Sequence, residues 1–178
     1  MLKRIWVNSF LIVIMVSLMG CGFHLRGAGL SGSLPFQTAQ IEVNGTVTKD
    51  VQMALKLQLL QSGVEVLESQ SAEVQIQLMS TQIKATRTSS RLGDATSELM
   101  KLTQPFKVTN LTTGKMIVSG ESVVYRDRKI NITDALASNS ELRSIQKSMS
   151  EQVASQIVER VRRAMIANTQ VTQPVVNK

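Results

Sequence analysis

Ile145, Met149, Val153, Ile157, Val161 and Met165 recur at every fourth position, and no other feature restricts the fold of this chain as tightly. That spacing places the six side chains on one stripe of an α-helix, drifting slowly around its axis. Leu142, Ala154, Val158 and Ala164 widen the stripe. Such a helix must lie along a broad apolar surface, and its drift suits a twisted sheet. The pattern predicts helix from Ala135 to about Ala167, either continuous or divided near Asn139 or Ser140. From Ser140 to Ala167 it would rise about 42 Å. Arg160, Arg162 and Arg163 fall in the final turns, where cations complement the helix dipole.

The surface beneath it has to come from strands. Ala39 to Val43 is a short strand, ended by the turn signal Asn44-Gly45. Thr48 is placed to cap a helix from Lys49 to about Gln61, with Asp50 in its first turn and Ser62-Gly63 as its stop. Val51, Ala54, Leu55 and Gln58 share one side of that helix, and Met53, Leu57, Leu59 and Leu60 extend its apolar sector. Val64 to Leu67 is a short extended piece. Ala72, Val74, Ile76 and Leu78 alternate with polar residues, as in a half-buried strand. The apolar phase then shifts to Thr81, Ile83 and Ala85, which predicts a bulge or a strong twist. Ser89 to Thr96 reads as a loop.

Met100, Leu102, Phe106 and Val108 mark another strand, in which Pro105 argues for an edge or a bulge. Thr112 to Lys115 is a hairpin connection to a strand from Met116 to Tyr125, followed by a polar, basic stretch from Arg126 to Thr133. The expected fold is α+β. It is a two-layer sandwich of a mostly four-stranded twisted sheet with two helices, one short and one long and C-terminal, on one face.

Composition narrows the chemistry. The 178 residues carry 20 Lys and Arg against 13 Asp and Glu, a formal charge of +7. With one cysteine and one histidine, His24, the chain can build no intramolecular disulfide, no thiolate metal cluster and no zinc site of two or three histidines. A Ser-His-acid arrangement would have to use His24, near the N-terminus. There is no P-loop, H-E-x-x-H or G-x-S-x-G motif. No metal, cofactor or catalytic residue is expected. Aromatic residues make up 3%, too few for the stacking platforms of single-stranded nucleic-acid binders; no nucleic-acid partner is expected, with a purely electrostatic contact as the alternative left open.

Residues 1–20 begin with Lys3 and Arg4 and continue with a largely apolar run, Ile5 to Met19, too short for a typical lipid-spanning helix of about 20 residues. This is the pattern of a cleaved signal peptide, with a retained N-terminal anchor as the alternative. The run ends at Leu18-Met19-Gly20-Cys21, which resembles the processing box of bacterial lipoproteins. The resemblance implies that Cys21 becomes the mature N-terminus and carries acyl chains, an anchor to outer-membrane lipids in which each buried methylene contributes about 0.8 kcal/mol. Gly22 in place of aspartate then implies the outer membrane. The expected organisation is a signal peptide at 1–20, a lipidated tether at 21–37, one domain at 38–168 and a C-terminal tail at 169–178.

The string Cys21-Gly22-Phe23-His24-Leu25-Arg26-Gly27 closely resembles the mature start of the LptE family, lipoproteins that partner the LptD β-barrel in lipopolysaccharide assembly. Val124-Tyr125-Arg126 and Asp134-Ala135-Leu136-Ala137 are similar to two further family segments. The resemblance implies a non-enzymatic plug inside the barrel lumen that binds lipopolysaccharide and helps the barrel fold and pair its cysteines correctly. It also implies a four-stranded sheet covered by two helices. Lipopolysaccharide is anionic, so basic side chains are the required chemistry. Lys84, Arg87 and Arg91 form the first candidate cluster; Arg91 or Arg87 matches the basic loop residue of the family. Arg126, Arg128 and Lys129 form the second. Each cluster has an ordinary solvated surface as its alternative, or pairing with acidic groups of the barrel. Two other readings of the whole chain compete: a pilot or scaffold lipoprotein of another outer-membrane complex, and, suggested by the positive charge alone, a periplasm-facing binder of nucleic acid or another anionic polymer.

Overall fold

The computed structural model describes residues 34–68, 71–89, 96–130 and 135–171, which lie in a compact unit spanning Ser33–Lys178. Alternating segments become six strands: β1 (Thr38–Asn44), β2 (Glu65–Leu67), β3 (Val74–Met79), β4 (Gln82–Ser89), β5 (Thr96–Asn110) and β6 (Met116–Ile130). The periodic segments become two helices, α1 (Lys49–Gln61) between β1 and β2, and α2 (Ala135–Val171) after β6. Cys21–Gly27 and Arg91 lie outside the described residues.

β1 sits between β2 and β3 and runs parallel to both. β5 runs antiparallel to β3, β4 and β6. β6 follows one edge of β5 over nearly its whole length, so β3 and β4 share the other edge, end to end. With β3 and β4 counted as one interrupted strand and three-residue β2 set aside, the body is the expected four-stranded sheet. The buried alternate residues Val74, Ile76, Leu78, Met100, Leu102, Phe106, Val108 and Val124 meet Val51, Leu55 and Leu59 of α1 and Met149, Val153, Ile157 and Val161 of α2. Leu34 and Phe36, within the segment assigned to the tether, belong to this core.

The phase shift near residue 80 has a larger cause than a bulge. The strand stops at Met79 and restarts at Gln82, and the gap is tied on both sides. The Ser80 hydroxyl oxygen accepts from the Thr46 amide at 3.1 Å, and the Thr81 hydroxyl oxygen accepts from the Thr48 amide at 3.1 Å. The Thr81 hydroxyl donates to Gln104 Oε1 at 2.6 Å, and Gln104 Nε2 donates to the carbonyls of Met79 at 2.6 Å and Pro105 at 2.9 Å. Fully buried Gln104 therefore closes the break with its side-chain amide. Gly45, at φ 101°, turns tightly against Ser80, whose Oγ would collide with a Cβ there.

Pro105 corrects the expectation of an edge. It sits in the central strand β5, paired with β6 opposite Glu121. On the other side, pairing ends at Phe106 with β3 and resumes at Thr103 with β4, so no strand there needs the missing N–H. The polar stretch after Tyr125 is also corrected, because β6 continues to Ile130.

α2 is continuous through Asn139 and Ser140 over 37 residues. Thr48 occupies the N-cap position of α1 without a side-chain capping bond. Ser62 and Gly63, with Gly63 at φ 80°, end α1 as expected. Of the residues expected to widen its apolar sector, Leu59 is buried, whereas Met53, Leu57 and Leu60 are exposed.

Candidate functional site

Neither helix packs on β4, and its side chains from Gln82 to Arg87 are exposed on both faces apart from the sheet contacts. With the paired parts of β5 and β6 it forms a three-stranded end of the sheet, and α2 contacts β5 and β6 but not β4. Counted from Gln82 to Ser89, Thr96 to Thr103 and Val123 to Ile130, this end carries six cations, Lys84, Arg87, Lys101, Arg126, Arg128 and Lys129, against two carboxylates, Glu98 and Asp127. Strand parity divides them between the two faces.

On the helix side, Arg87, Glu98 and Arg128 occupy one row across β4, β5 and β6. Glu98 lies between the two guanidinium groups, 3.9 Å from Arg87 Nε and 3.4 Å from Arg128 Nη1. The Arg128 and Glu98 side chains are 8% and 12% exposed, the Arg87 side chain 75%. Arg128 thus belongs to a buried pair that costs desolvation and fixes position, while Arg87 presents its guanidinium to solvent. Arg126 stands one row nearer the core and donates to Gln152 Oε1 of α2 at 2.7 Å. One residue of each sequence-predicted cluster therefore meets the other at Glu98, Arg87 from the first and Arg128 from the second, while Arg126 braces the adjoining helix. Of the three arginines, Arg87 is the one most available to a ligand.

On the opposite face, Lys84 lies directly across from Lys101, and Lys101 directly across from Tyr125. The Lys101 ammonium stands 5.7 Å from the Tyr125 ring centroid, within the range of a cation–π contact. Lys129 projects from the same face, further towards the end of the sheet. The sequence alone missed Lys101. Its alternation with Met100 and Leu102 signals that it points away from the core, but its neighbour on β4 follows only from the strand register.

A second surface feature lies elsewhere, where an open groove of about 570 Å³ runs beside the two helices. Met53, Leu57 and Leu60 supply its apolar lining, and Lys56, Lys147 and Glu151 stand at its rim. No helix among the described residues is long and apolar enough to cross a membrane. No group of three His, Cys, Asp or Glu residues among them is placed to hold a metal ion.

No protein-family model matches the chain, and no curated protein matches it. Solved structures do. A lipoprotein B structure from Nitrosomonas europaea superposes with a TM-score of 0.58 at 19% identity, covering 85% of this chain and 97% of that one. A minor lipoprotein from Acinetobacter baumannii gives 0.56 at 18% identity, covering 76% and 95%. Rare lipoprotein B from Shewanella oneidensis gives 0.51 at 19% identity, covering 74% and 96%. The chain has the fold of these lipoproteins.

Proposed function

We propose that this protein is an outer-membrane lipoprotein of the LptE type. In this reading it is anchored through acylated Cys21, occupies the lumen of an LptD-type barrel on the periplasmic side, assists assembly of that barrel, and binds lipopolysaccharide on its way to the outer leaflet. Its work is binding and assembly, with no catalysis. One observation carries the reading: a fold shared with rare lipoprotein B occurs in a chain that also contains the Cys21–Gly27 string. The cationic end of the sheet adds chemical support. Arg87 and Lys129 offer exposed charge, as an anionic glycolipid requires.

Two measurements test this reading. The full-length wild-type protein is expected to retain lipopolysaccharide through purification and to bind labelled lipopolysaccharide when stripped. Cys21→Ala is expected to lose all acyl modification by mass spectrometry and to leave the membrane fraction, because no single protein contact replaces several acyl chains. A wild-type protein that binds no lipopolysaccharide, or a Cys21→Ala protein still acylated, contradicts it.

A further inference from the structure

The open face of the sheet holds an arrangement that the fold does not need. Lys84 and Lys101 are direct cross-strand neighbours, at a separation of about 5 Å between Cβ atoms in such pairs. Like charges so placed oppose strand pairing. Proteins do place lysines on edge strands to block aggregation, which explains Lys84 on β4. It does not explain Lys101, which lies on the central strand with Lys84 on one side and Tyr125 on the other.

The surroundings leave this pair uncompensated. On the same face Lys84 is bordered by Gln82, Thr86, Leu99 and Thr103, none of them acidic. Lys101 has one carboxylate nearby, Asp127, diagonally across on β6, and neither lysine forms a salt bridge among the described residues. The Lys101 ammonium stands 5.7 Å from the Tyr125 ring centroid, and that contact to β6 restricts where the ammonium can go. Two lysines at directly paired positions, one with its ammonium at an aromatic ring, offer two cations to one doubly charged oxyanion placed between them.

We propose that Lys84 and Lys101, with Tyr125 as a positioning residue, bind a phosphomonoester on the sugar headgroup of an amphiphile, on the sheet face opposite the helices. This site is separate from the Arg87–Glu98–Arg128 row on the helix side. It rests on the lipopolysaccharide-binding reading and names the chemical group recognised there. A flat exposed face suits a sugar phosphate, which approaches broadside, while inorganic phosphate alone gains only the two charge contacts.

The test uses full-length lipoprotein in detergent and three probes: lipopolysaccharide, the same material after enzymatic dephosphorylation, and inorganic phosphate. Lys84→Gln/Lys101→Gln is expected to bind native lipopolysaccharide about tenfold or more weakly, the loss expected from charge-assisted contacts. Wild type and variant are expected to bind the dephosphorylated material equally. Inorganic phosphate is expected to compete only in large excess. Tyr125→Phe retains the ring and full affinity, whereas Tyr125→Leu weakens binding of the native material alone. Tm of the double variant is expected at or above that of wild type, because a repulsion has been removed, so a binding loss is not misfolding.

Wild-type affinity in the double variant overturns the site while leaving lipopolysaccharide binding in place. Failure of the wild-type protein to bind lipopolysaccharide overturns both. Inorganic phosphate competing as well as lipopolysaccharide overturns the headgroup assignment.

Discussion

Gln104 illustrates how a single buried side chain can stand in for missing backbone pairing. Its amide accepts from Thr81 and donates to Met79 and Pro105 at the point where β3 and β4 part. Gln104→Leu keeps the volume but leaves the Met79 carbonyl and the Thr81 hydroxyl without that partner. The expected cost is about 1–3 kcal/mol, read as a lower urea midpoint with an unchanged slope. Gly45→Ala is also expected to destabilise, by more than about 1 kcal/mol, because alanine must adopt φ near 101° against Ser80. The Asn44-Gly45 turn was legible because glycine and asparagine are local signals. Gln104 was not, because a glutamine between Thr103 and Pro105 gives no sign of burial until β3 and β4 are placed end to end beside it.

The two helices were legible to different depths. The bounds of α1 follow from Asp50 in its first turn and from Ser62-Gly63 after its last, although Thr48 does not cap it through its side chain. Which leucines face inward depends on where α2 lies alongside. Leu55 is fully buried and Leu57 is 54% exposed, though both belong to the apolar sector in sequence. Leu55→Ala is expected to cost about 2–5 kcal/mol. Leu57→Gln is expected to change stability by less than about 0.5 kcal/mol. Thermal melts of the two variants distinguish these outcomes, and equal losses would mean that the groove beside Leu57 is closed in solution. In β6, the run from Arg126 to Lys129 looked too polar for strand. Pairing with β5 carries it, with Arg128 buried against Glu98 and Arg126 braced by Gln152.

At the scale of the molecule, the helices cover one face of the sheet and leave β4 uncovered. The expectation of two helices on a mostly four-stranded sheet was legible because periodicity and element order are local properties. The meeting of Arg87 and Arg128 around Glu98, and the separation of Lys84 from Arg87 onto opposite faces, were not, because both depend on the register of β4 and β6 on β5. In the proposed reading, an enclosing barrel grips one surface of this body and another is left for an anionic ligand. The most direct measurement is affinity purification of the full-length lipoprotein from outer membranes in mild detergent, with mass spectrometry of everything retained. A large β-barrel protein recovered in stoichiometric amount and resistant to high salt is the expected result. Recovery of the lipoprotein without such a barrel, or with a different outer-membrane complex, would contradict the plug reading and turn the assignment to a pilot or scaffold lipoprotein.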